Sequence, residues 1–358
     1  MTVGGMRAPA LSAPALTVPA GVPPRAAGRL AAALRSGDGS PSGVALAAGF
    51  ALTAAIALAV AARAPLATTV LGLIAFGALH NVLELRYVAG RFAGVLRGRL
   101  LVVLLALVTG ILVCRLAAAR TPEIVLAYAL LGVGVAYAVT RPWWRLAALG
   151  GLGGALAASL AFPAYHFVIL THLHNVVPLF FLWEWSRRLT RGRTAFRVAQ
   201  VGWVLGIPAL ILLGVADGLV VNQLADGGAG TVTAFAGTPA KLAAPFVPPG
   251  LQPDLVVGLR FLVVFAFLQT MHYAVWVGFL PRAAPDAAAA FEARVPWLAG
   301  WRAWALGAAA AAPLAVLFAV DYTQGRVMYS AFASYHAYLE FPVLLALLFR
   351  PRAPDSVR

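Results

Sequence analysis

Ionisable side chains within the apolar part of this 358-residue chain give the first indication of chemistry. All six histidines lie in long apolar stretches: His80, His166, His172, His174, His272 and His336. An ionisable group inside a membrane span is costly unless it is paired or hydrated, so each histidine is a candidate functional residue. Imidazoles from several helices are suitable ligands for iron, copper, zinc or manganese. The histidines therefore predict a metal site.

Two of these histidines are followed by a glutamate four positions later: His80 by Glu84, and His336 by Glu340. Residues i and i+4 share one face of a helix, about 5 to 6 Å apart. Each carboxylate is therefore predicted either to ligate a metal beside the imidazole or to fix the tautomer of that imidazole. The pattern occurs on two separate stretches, which favours a functional role over chance.

A third apolar stretch contains both His172 and His174. Their side chains project about 200° apart on a helix, so only one of them easily faces a common centre. We expect this to be His174, because Glu184 lies about 80° from it around the helix, with His172 as a substitute ligand. His272 supplies the fourth imidazole.

The predicted metal ligands are thus His80, His174, His272 and His336, with His172 as the substitute. The predicted catalytic carboxylates are Glu84, Glu340 and Glu184.

The predicted depths of the four histidines in the membrane indicate that they do not form a ring at one height. The distance from each histidine to the next arginine differs by up to eight residues between the four stretches, which corresponds to about 12 Å. The structural alternative is that these side chains only hydrogen-bond neighbouring helices.

The elements that must position these residues are transmembrane helices. Hydrophobic residues make up 62% of the chain and charged residues 11%, whereas soluble domains carry about 25% charged residues. This composition excludes a soluble enzyme or a nucleic-acid-binding protein, and the net charge of +15 is interpreted as a topology signal. Ten stretches approach the roughly 20 residues needed for a span. They are 44–62, 65–85, 100–119, 122–140, 146–161, 164–185, 199–216, 255–280, 303–320 and 327–349.

The predicted fold is therefore an all-α, polytopic transmembrane bundle of about ten spans, with eight spans plus two re-entrant segments as the alternative. Most of the 27 Lys and Arg residues fall in alternate connections between the spans, which predicts that both termini lie in the cytoplasm. The protein is predicted to be a multi-pass protein of the cell's inner (plasma) membrane. Pro163 is the predicted break within one long uncharged run.

The domain organisation follows from the same pattern. Residues 1–43 are rich in Ala, Pro, Gly and Ser and are predicted to be a disordered basic cytoplasmic tail. The transmembrane domain is 44–350, and 351–358 is a short cytoplasmic tail. The longest outer segment, about 217–254, is predicted to be an irregular loop.

Two histidine segments resemble those of a known family. Residues 79–84 and 335–340, each a histidine followed by an acid at i+4, resemble the first and last motifs of the Brp/Blh family of integral-membrane beta-carotene cleaving oxygenases. His174 and His272 then match its second and third motifs. This chain departs from the family's usual pattern at Leu79 and Asn81, where the family has Pro and Gly, and in having Glu as the acids.

The resemblance implies non-haem iron, as Fe²⁺, held by the histidines, with dioxygen as co-substrate and oxidative cleavage of a carotenoid. Together with this resemblance, the histidines lead us to expect a metal-dependent membrane oxygenase or oxidase, with iron favoured and copper or zinc as alternatives. Its expected partners are the lipid bilayer and a hydrophobic polyene or lipid-like substrate that enters between helices lined by Phe, Trp and Leu. The second hypothesis is a transporter or proton-coupled carrier with an intramembrane His/Glu relay. A haem-binding electron carrier is the third, but no span carries two histidines at the expected spacing.

Overall fold

The computed structural model describes residues 42–218, 230–237 and 239–349. This described part contains helices and no strand. Ten of its helices are long and apolar enough to cross a membrane, as the sequence predicted. In chain order they are α1 (Gly43–Arg63), α2 (Pro65–Arg91), α3 (Gly98–Leu116), α4 (Arg120–Ala138), α5 (Pro142–Ala161), α6 (Pro163–Arg188), α7 (Arg193–Leu212), α8 (Leu255–Ala283), α9 (Arg302–Val320) and α10 (Tyr322–Phe349).

The helices begin where side-chain chemistry favours a start. The Ser42 hydroxyl accepts a hydrogen bond from the Ala45 amide at 3.2 Å, and the Asp254 carboxylate accepts one from the Val257 amide at 3.0 Å. Such residues satisfy amides that have no partner within the helix. Proline opens α2, α5 and α6, at a position where its missing N–H costs nothing. The predicted break at Pro163 is confirmed, because α5 ends at Ala161 and α6 begins at Pro163.

The two predicted tails lie almost entirely outside the described residues, which begin at 42 and end at 349. The orientation of the termini stays a prediction.

The predicted irregular loop, 217–254, is partly helical, which corrects the sequence interpretation. Its described residues form the helices Gly230–Ala236 and Pro239–Ala243 and the single turns Ala244–Phe246 and Pro249–Leu251. The Phe246 ring stacks on the Phe265 ring of α8, with centroids 3.7 Å apart and planes 16° apart. Aromatic burial of this kind explains why the segment packs onto the bundle rather than extending into solvent. Residues 219–229 and 238 are outside the description.

Small residues let helices approach closely around the histidines. A Cβ atom on Gly307 of α9 would lie 3.0 Å from the Leu79 Cα, next to His80. A Cβ atom on Gly77 of α2 would lie 2.8 Å from the Tyr329 ring of α10. Close approach of this kind is how membrane helices gain packing energy without a hydrophobic driving force between them. It holds α2 firmly against α9 and α10.

Two of the histidine-bearing helices change geometry just after their histidine. In α6 the regular helix ends at Val176 and restarts at Pro178, because proline lacks the N–H that would continue the ladder. In α8 a π-helical segment, Ala274–Phe279, follows His272. Such segments are frequent at functional sites because they redirect side chains.

Candidate metal centre

Four helices bring four imidazoles to one point inside the bundle. One nitrogen each of His80 (α2), His174 (α6), His272 (α8) and His336 (α10) lies within 4.8 Å of all the others. Three of these residues are 1 to 2% exposed, and His174 is partly exposed to the adjoining cavity. The prediction that the four histidines lie at different depths in the membrane is therefore wrong.

The spacing between the nitrogens suits a single metal ion. His336 Nε2 lies 3.2 Å from His80 Nε2 and 3.2 Å from His174 Nε2. Imidazole nitrogens bind zinc-like ions at about 2.0 to 2.1 Å, so two ligands of a tetrahedral site are separated by about 3.3 Å. Both of these separations are close to that value.

The second nitrogen of two imidazoles is fixed by a neighbour. His80 Nδ1–H donates to the Phe76 carbonyl oxygen at 3.2 Å, and His174 Nδ1–H donates to Glu340 Oε2 at 2.9 Å. With the proton on Nδ1, the Nε2 lone pair of each ring points toward the cluster. This second layer of hydrogen bonds is typical of metal-ligating histidines.

The two carboxylates lie in the same buried site. Glu84 and Glu340 are both 0% exposed. Glu84 Oε2 lies 3.4 Å from His272 Nε2. Within the described residues, neither Glu84 oxygen and only one Glu340 oxygen has a hydrogen-bond partner. Unpartnered polar atoms of this kind are uncommon in a protein interior and call for an explanation.

Each glutamate contacts a histidine of a different helix. The sequence placed Glu84 beside His80 and Glu340 beside His336, but the observed contacts join Glu84 to His272 and Glu340 to His174. The i+4 spacing correctly predicted that both carboxylates lie at the site. It did not identify the imidazole that each one contacts.

Two of the predicted site residues lie outside the cluster. Glu184 forms an ion pair with Arg91 at 2.5 Å, near the end of α2. His172 Nε2–H donates to the Phe246 carbonyl oxygen at 2.8 Å, so this imidazole links α6 to the partly helical segment. The geometry thus assigns neither a catalytic role for Glu184 nor a ligand role for His172.

A cavity of about 210 Å³ adjoins the four histidines. Apolar side chains line it, including Leu73, Phe167, Leu170 and Phe265. Polar residues that sequence reasoning missed line it as well: Thr69, Arg115, Tyr273, Arg326 and Tyr329. Leucine and phenylalanine were expected along the substrate path, but no tryptophan lines this cavity in the described part of the chain.

One of these missed residues, Arg115, forms a partly buried ion pair with Glu123. Arg115 Nε donates to Glu123 Oε1 at 2.6 Å, and Arg115 Nη1 donates to the Ser330 carbonyl oxygen at 2.8 Å. The signal for this pair was present in the sequence, because an arginine next to an apolar run needs a partner.

Comparisons of this chain with protein-family models, with curated proteins and with solved structures found no match. The geometry of the four-histidine cluster and its cavity therefore carries the functional argument.

Proposed function

We propose that this protein is an integral-membrane, metal-dependent oxygenase or oxidase that acts on a hydrophobic, lipid-like substrate. The observation that carries the proposal is the convergence of four imidazoles and two buried carboxylates beside a cavity. Histidines that only joined helices would not need to bring their nitrogens within 4.8 Å of one another.

Charge balance supports a divalent ion. Ionised carboxylates in a membrane interior are unfavourable unless a positive charge compensates them. Glu84 and Glu340 together carry two negative charges when ionised, and four neutral imidazoles carry none. One divalent cation among the imidazoles makes the whole group neutral. Two arginines line this cavity, and neither compensates the two carboxylates, because Arg115 already has Glu123 as its partner and Arg326 lies about 15 Å along α10 from His336.

Imidazole-rich sites suit iron, copper and zinc. Iron, as non-haem Fe²⁺, fits an oxidative role, with copper or zinc as the alternatives. Four imidazoles around one centre occupy the positions that a porphyrin plane would need, which favours a non-haem site over haem. When bound, an iron ion would supply the capacity to activate dioxygen.

The residues of the chain have separate tasks in this proposal. His80, His174, His272 and His336 hold the ion. Glu340 and the Phe76 carbonyl hold the tautomers of His174 and His80, so that the Nε2 atoms stay available as ligands. The apolar walls of the cavity hold the substrate and exclude water from the reacting end.

Oxidative cleavage of a polyene such as a carotenoid is the narrower version of the proposal. It rests on the resemblance of residues 79–84 and 335–340 to the Brp/Blh motifs. We further propose a multi-pass location in the plasma membrane with both termini in the cytoplasm, on the basis of the Lys and Arg distribution.

Metal analysis tests the proposal most directly. The wild-type protein, produced with ample iron, copper and zinc and purified in nanodiscs, is expected to contain about one metal ion per chain. His336→Ala should lose that metal, and His172→Ala should keep it, because His172 contacts the Phe246 carbonyl instead. Oxygen consumption is then measured with candidate polyenes and lipids, and it is expected only in the variants that retain the metal.

A folded, metal-free wild-type protein would contradict the metal-dependent function. The unpartnered oxygens of Glu84 and Glu340 would then favour the second candidate, a proton-coupled carrier. Proton flux into liposomes would measure that activity.

A further inference from the structure

The cavity follows one face of α10 from its first turn to the histidine cluster. Residues of α10 that line it recur three or four positions apart, which is the spacing of one helix face. They include Tyr322, Arg326, Tyr329, Ala333 and His336. The cavity therefore extends along the helix axis, with the cluster at one end and Arg326 near the other.

Arg326 brings a positive charge to the end of the cavity far from the cluster. Its guanidinium lies over the Phe246 ring, 5.9 Å from the centroid, and the side chain is only partly exposed. No carboxylate among residues 42–218, 230–237 and 239–349 forms an ion pair with it. A guanidinium enclosed in this way is costly unless an anion compensates it.

The second arginine of the cavity is already compensated. Arg115 forms the ion pair with Glu123, and its Nη1 donates to the Ser330 carbonyl oxygen. The net charge contributed by the two arginines and Glu123 is therefore +1, located at Arg326. A ligand that matches this end of the cavity carries one negative charge.

The distance between the two ends sets the length of the ligand. Arg326 and His336 are ten residues apart on one helix, which corresponds to about 15 Å along its axis. Leu73, Phe167 and Phe265 line the space between the polar ends and suit an apolar chain. Because an extended alkyl chain zigzags, each carbon–carbon bond of about 1.5 Å advances it by only about 1.25 Å, so a chain of roughly a dozen carbon atoms spans this distance.

We propose that the cavity binds a carboxylate-terminated amphipathic chain, with its carboxylate at Arg326 and its distal carbons beside the histidine cluster. The planar fork of arginine matches a carboxylate in a bidentate arrangement. One uncompensated cation balances a carboxylate, whereas a phosphate monoester would bring additional negative charge. This inference names the substrate class of the proposed function and rests on it.

Ligand binding to the full chain in nanodiscs tests the inference. Radiolabelled dodecanoate, dodecanol and dodecyl phosphate are each titrated, with binding to empty nanodiscs subtracted. We expect dodecanoate to bind most tightly of the three. Arg326→Gln should weaken dodecanoate binding by about tenfold or more and leave dodecanol binding unchanged, because a charge-assisted hydrogen bond is lost.

Matched variants make the result specific. Arg120→Gln removes an exposed arginine that lies outside the cavity, and it should leave dodecanoate binding unchanged. Arg326→Lys keeps the charge without the fork and should give an affinity between those of wild type and Arg326→Gln. Equal dodecanoate binding by wild type and Arg326→Gln would overturn the inference, as would dodecanol or dodecyl phosphate binding at least as tightly as dodecanoate.

Metal content measured on the same samples separates the two proposals. Arg326→Gln should retain the metal, since Arg326 lies about 15 Å from the cluster along α10. Arg326-dependent dodecanoate binding by a metal-free protein would support the acid site and contradict the metal-dependent function. A metal-loaded protein whose dodecanoate affinity is the same with and without Arg326 would support the metal-dependent function and contradict the acid site.

Discussion

Glu340 Oε2 lies 2.9 Å from Nδ1 of His174, a residue on a different helix. This hydrogen bond joins α10 to α6 at the level of the cluster. Glu84 Oε2 of α2 lies 3.4 Å from Nε2 of His272 on α8, a contact that is not a hydrogen bond. A carboxylate that accepts the Nδ1 proton makes the opposite nitrogen a better metal ligand. The two glutamates thus connect all four histidine-bearing helices in pairs.

Removing the Glu340 carboxylate should weaken metal binding. Glu340→Gln keeps the size of the side chain but replaces a charged acceptor with a neutral amide. Partners of this kind are worth about 10- to 100-fold in metal affinity. Competition against a chelator of known affinity measures the change. Unaltered metal affinity in the variant would contradict the role assigned to Glu340.

Glu184→Gln is the matched variant for Glu340→Gln, and it should affect stability rather than metal binding. Glu184 is 7% exposed and pairs with Arg91 at 2.5 Å, so its loss leaves a partly buried guanidinium without its main partner. We expect a loss of about 1 to 3 kcal/mol in the free energy of unfolding. Thermal unfolding in nanodiscs provides this measurement, with metal content as the control. A loss of metal from folded Glu184→Gln would instead place Glu184 in the centre.

The number and approximate positions of the membrane-spanning helices could be predicted from the sequence because hydropathy and length determine them, although α2 ends six residues beyond its predicted end at residue 85. The common depth of the histidines could not be predicted from the arginines. Arg86 was used to mark the inner end of α2, but it is buried and pairs with Glu292, and α2 continues to Arg91.

The helix ends observed in the structure give a better measure of depth. The histidines lie 11 residues before Arg91, 11 before Ala283, 14 before Arg188 and 13 before Phe349. These distances differ by at most three residues, so the histidines differ in depth by about 4.5 Å, whereas the distances to the next arginine had predicted about 12 Å. A loop arginine therefore marks depth only when it is solvated.

The partners of the carboxylates and the cavity depend on tertiary packing. The i+4 pattern correctly placed Glu84 and Glu340 near the centre, because it requires only that the segments be helical. The helix that each carboxylate faces depends on how α2, α6, α8 and α10 rotate against one another, and small residues such as Gly77, which lets α2 approach Tyr329 of α10, set this packing. No periodicity within one segment contains that information.

Close packing at Gly90 gives a prediction about stability. A Cβ atom at Gly90 of α2 would overlap the Ala287 carbonyl oxygen in the short helix Pro285–Arg294. Because the backbone cannot yield as a flexible side chain can, Gly90→Ala should destabilise the protein by about 1 to 3 kcal/mol. Thermal unfolding of the variant in nanodiscs tests this.

The control for Gly90→Ala is Gly150→Ala, in α5. A Cβ atom at Gly150 would meet nothing within 4 Å, and alanine is the better helix former by about 0.5 to 1 kcal/mol. Gly150→Ala should therefore unfold at the same or a higher temperature than wild type. Equal effects of the two variants would contradict the close contact between α2 and the short helix.

Asp286 gives a prediction about the pH dependence of stability. This residue lies in the short helix Pro285–Arg294, outside the ten long helices. Arg188 donates two hydrogen bonds to its carboxylate, at 2.6 and 2.8 Å, and these hold the pKa of the Asp286 carboxyl below its ordinary value of 3.8. A carboxyl group with a lowered pKa in the folded state stabilises the protein above the ordinary value. That stabilisation is lost as the pH falls through the lowered pKa.

The difference in unfolding temperature between wild type and Asp286→Asn should therefore depend on pH in the acid range only. Wild type should be the more stable of the two at about pH 6, where its carboxylate is fully ionised and paired with Arg188. The difference should shrink once the pH falls below 3.8, because protonation removes the charge that the variant already lacks. The remaining carboxyl groups titrate in both proteins, so their contribution cancels in the comparison. A difference that stays constant from pH 6 into this acid range would show that the Arg188–Asp286 contact contributes through packing rather than through charge.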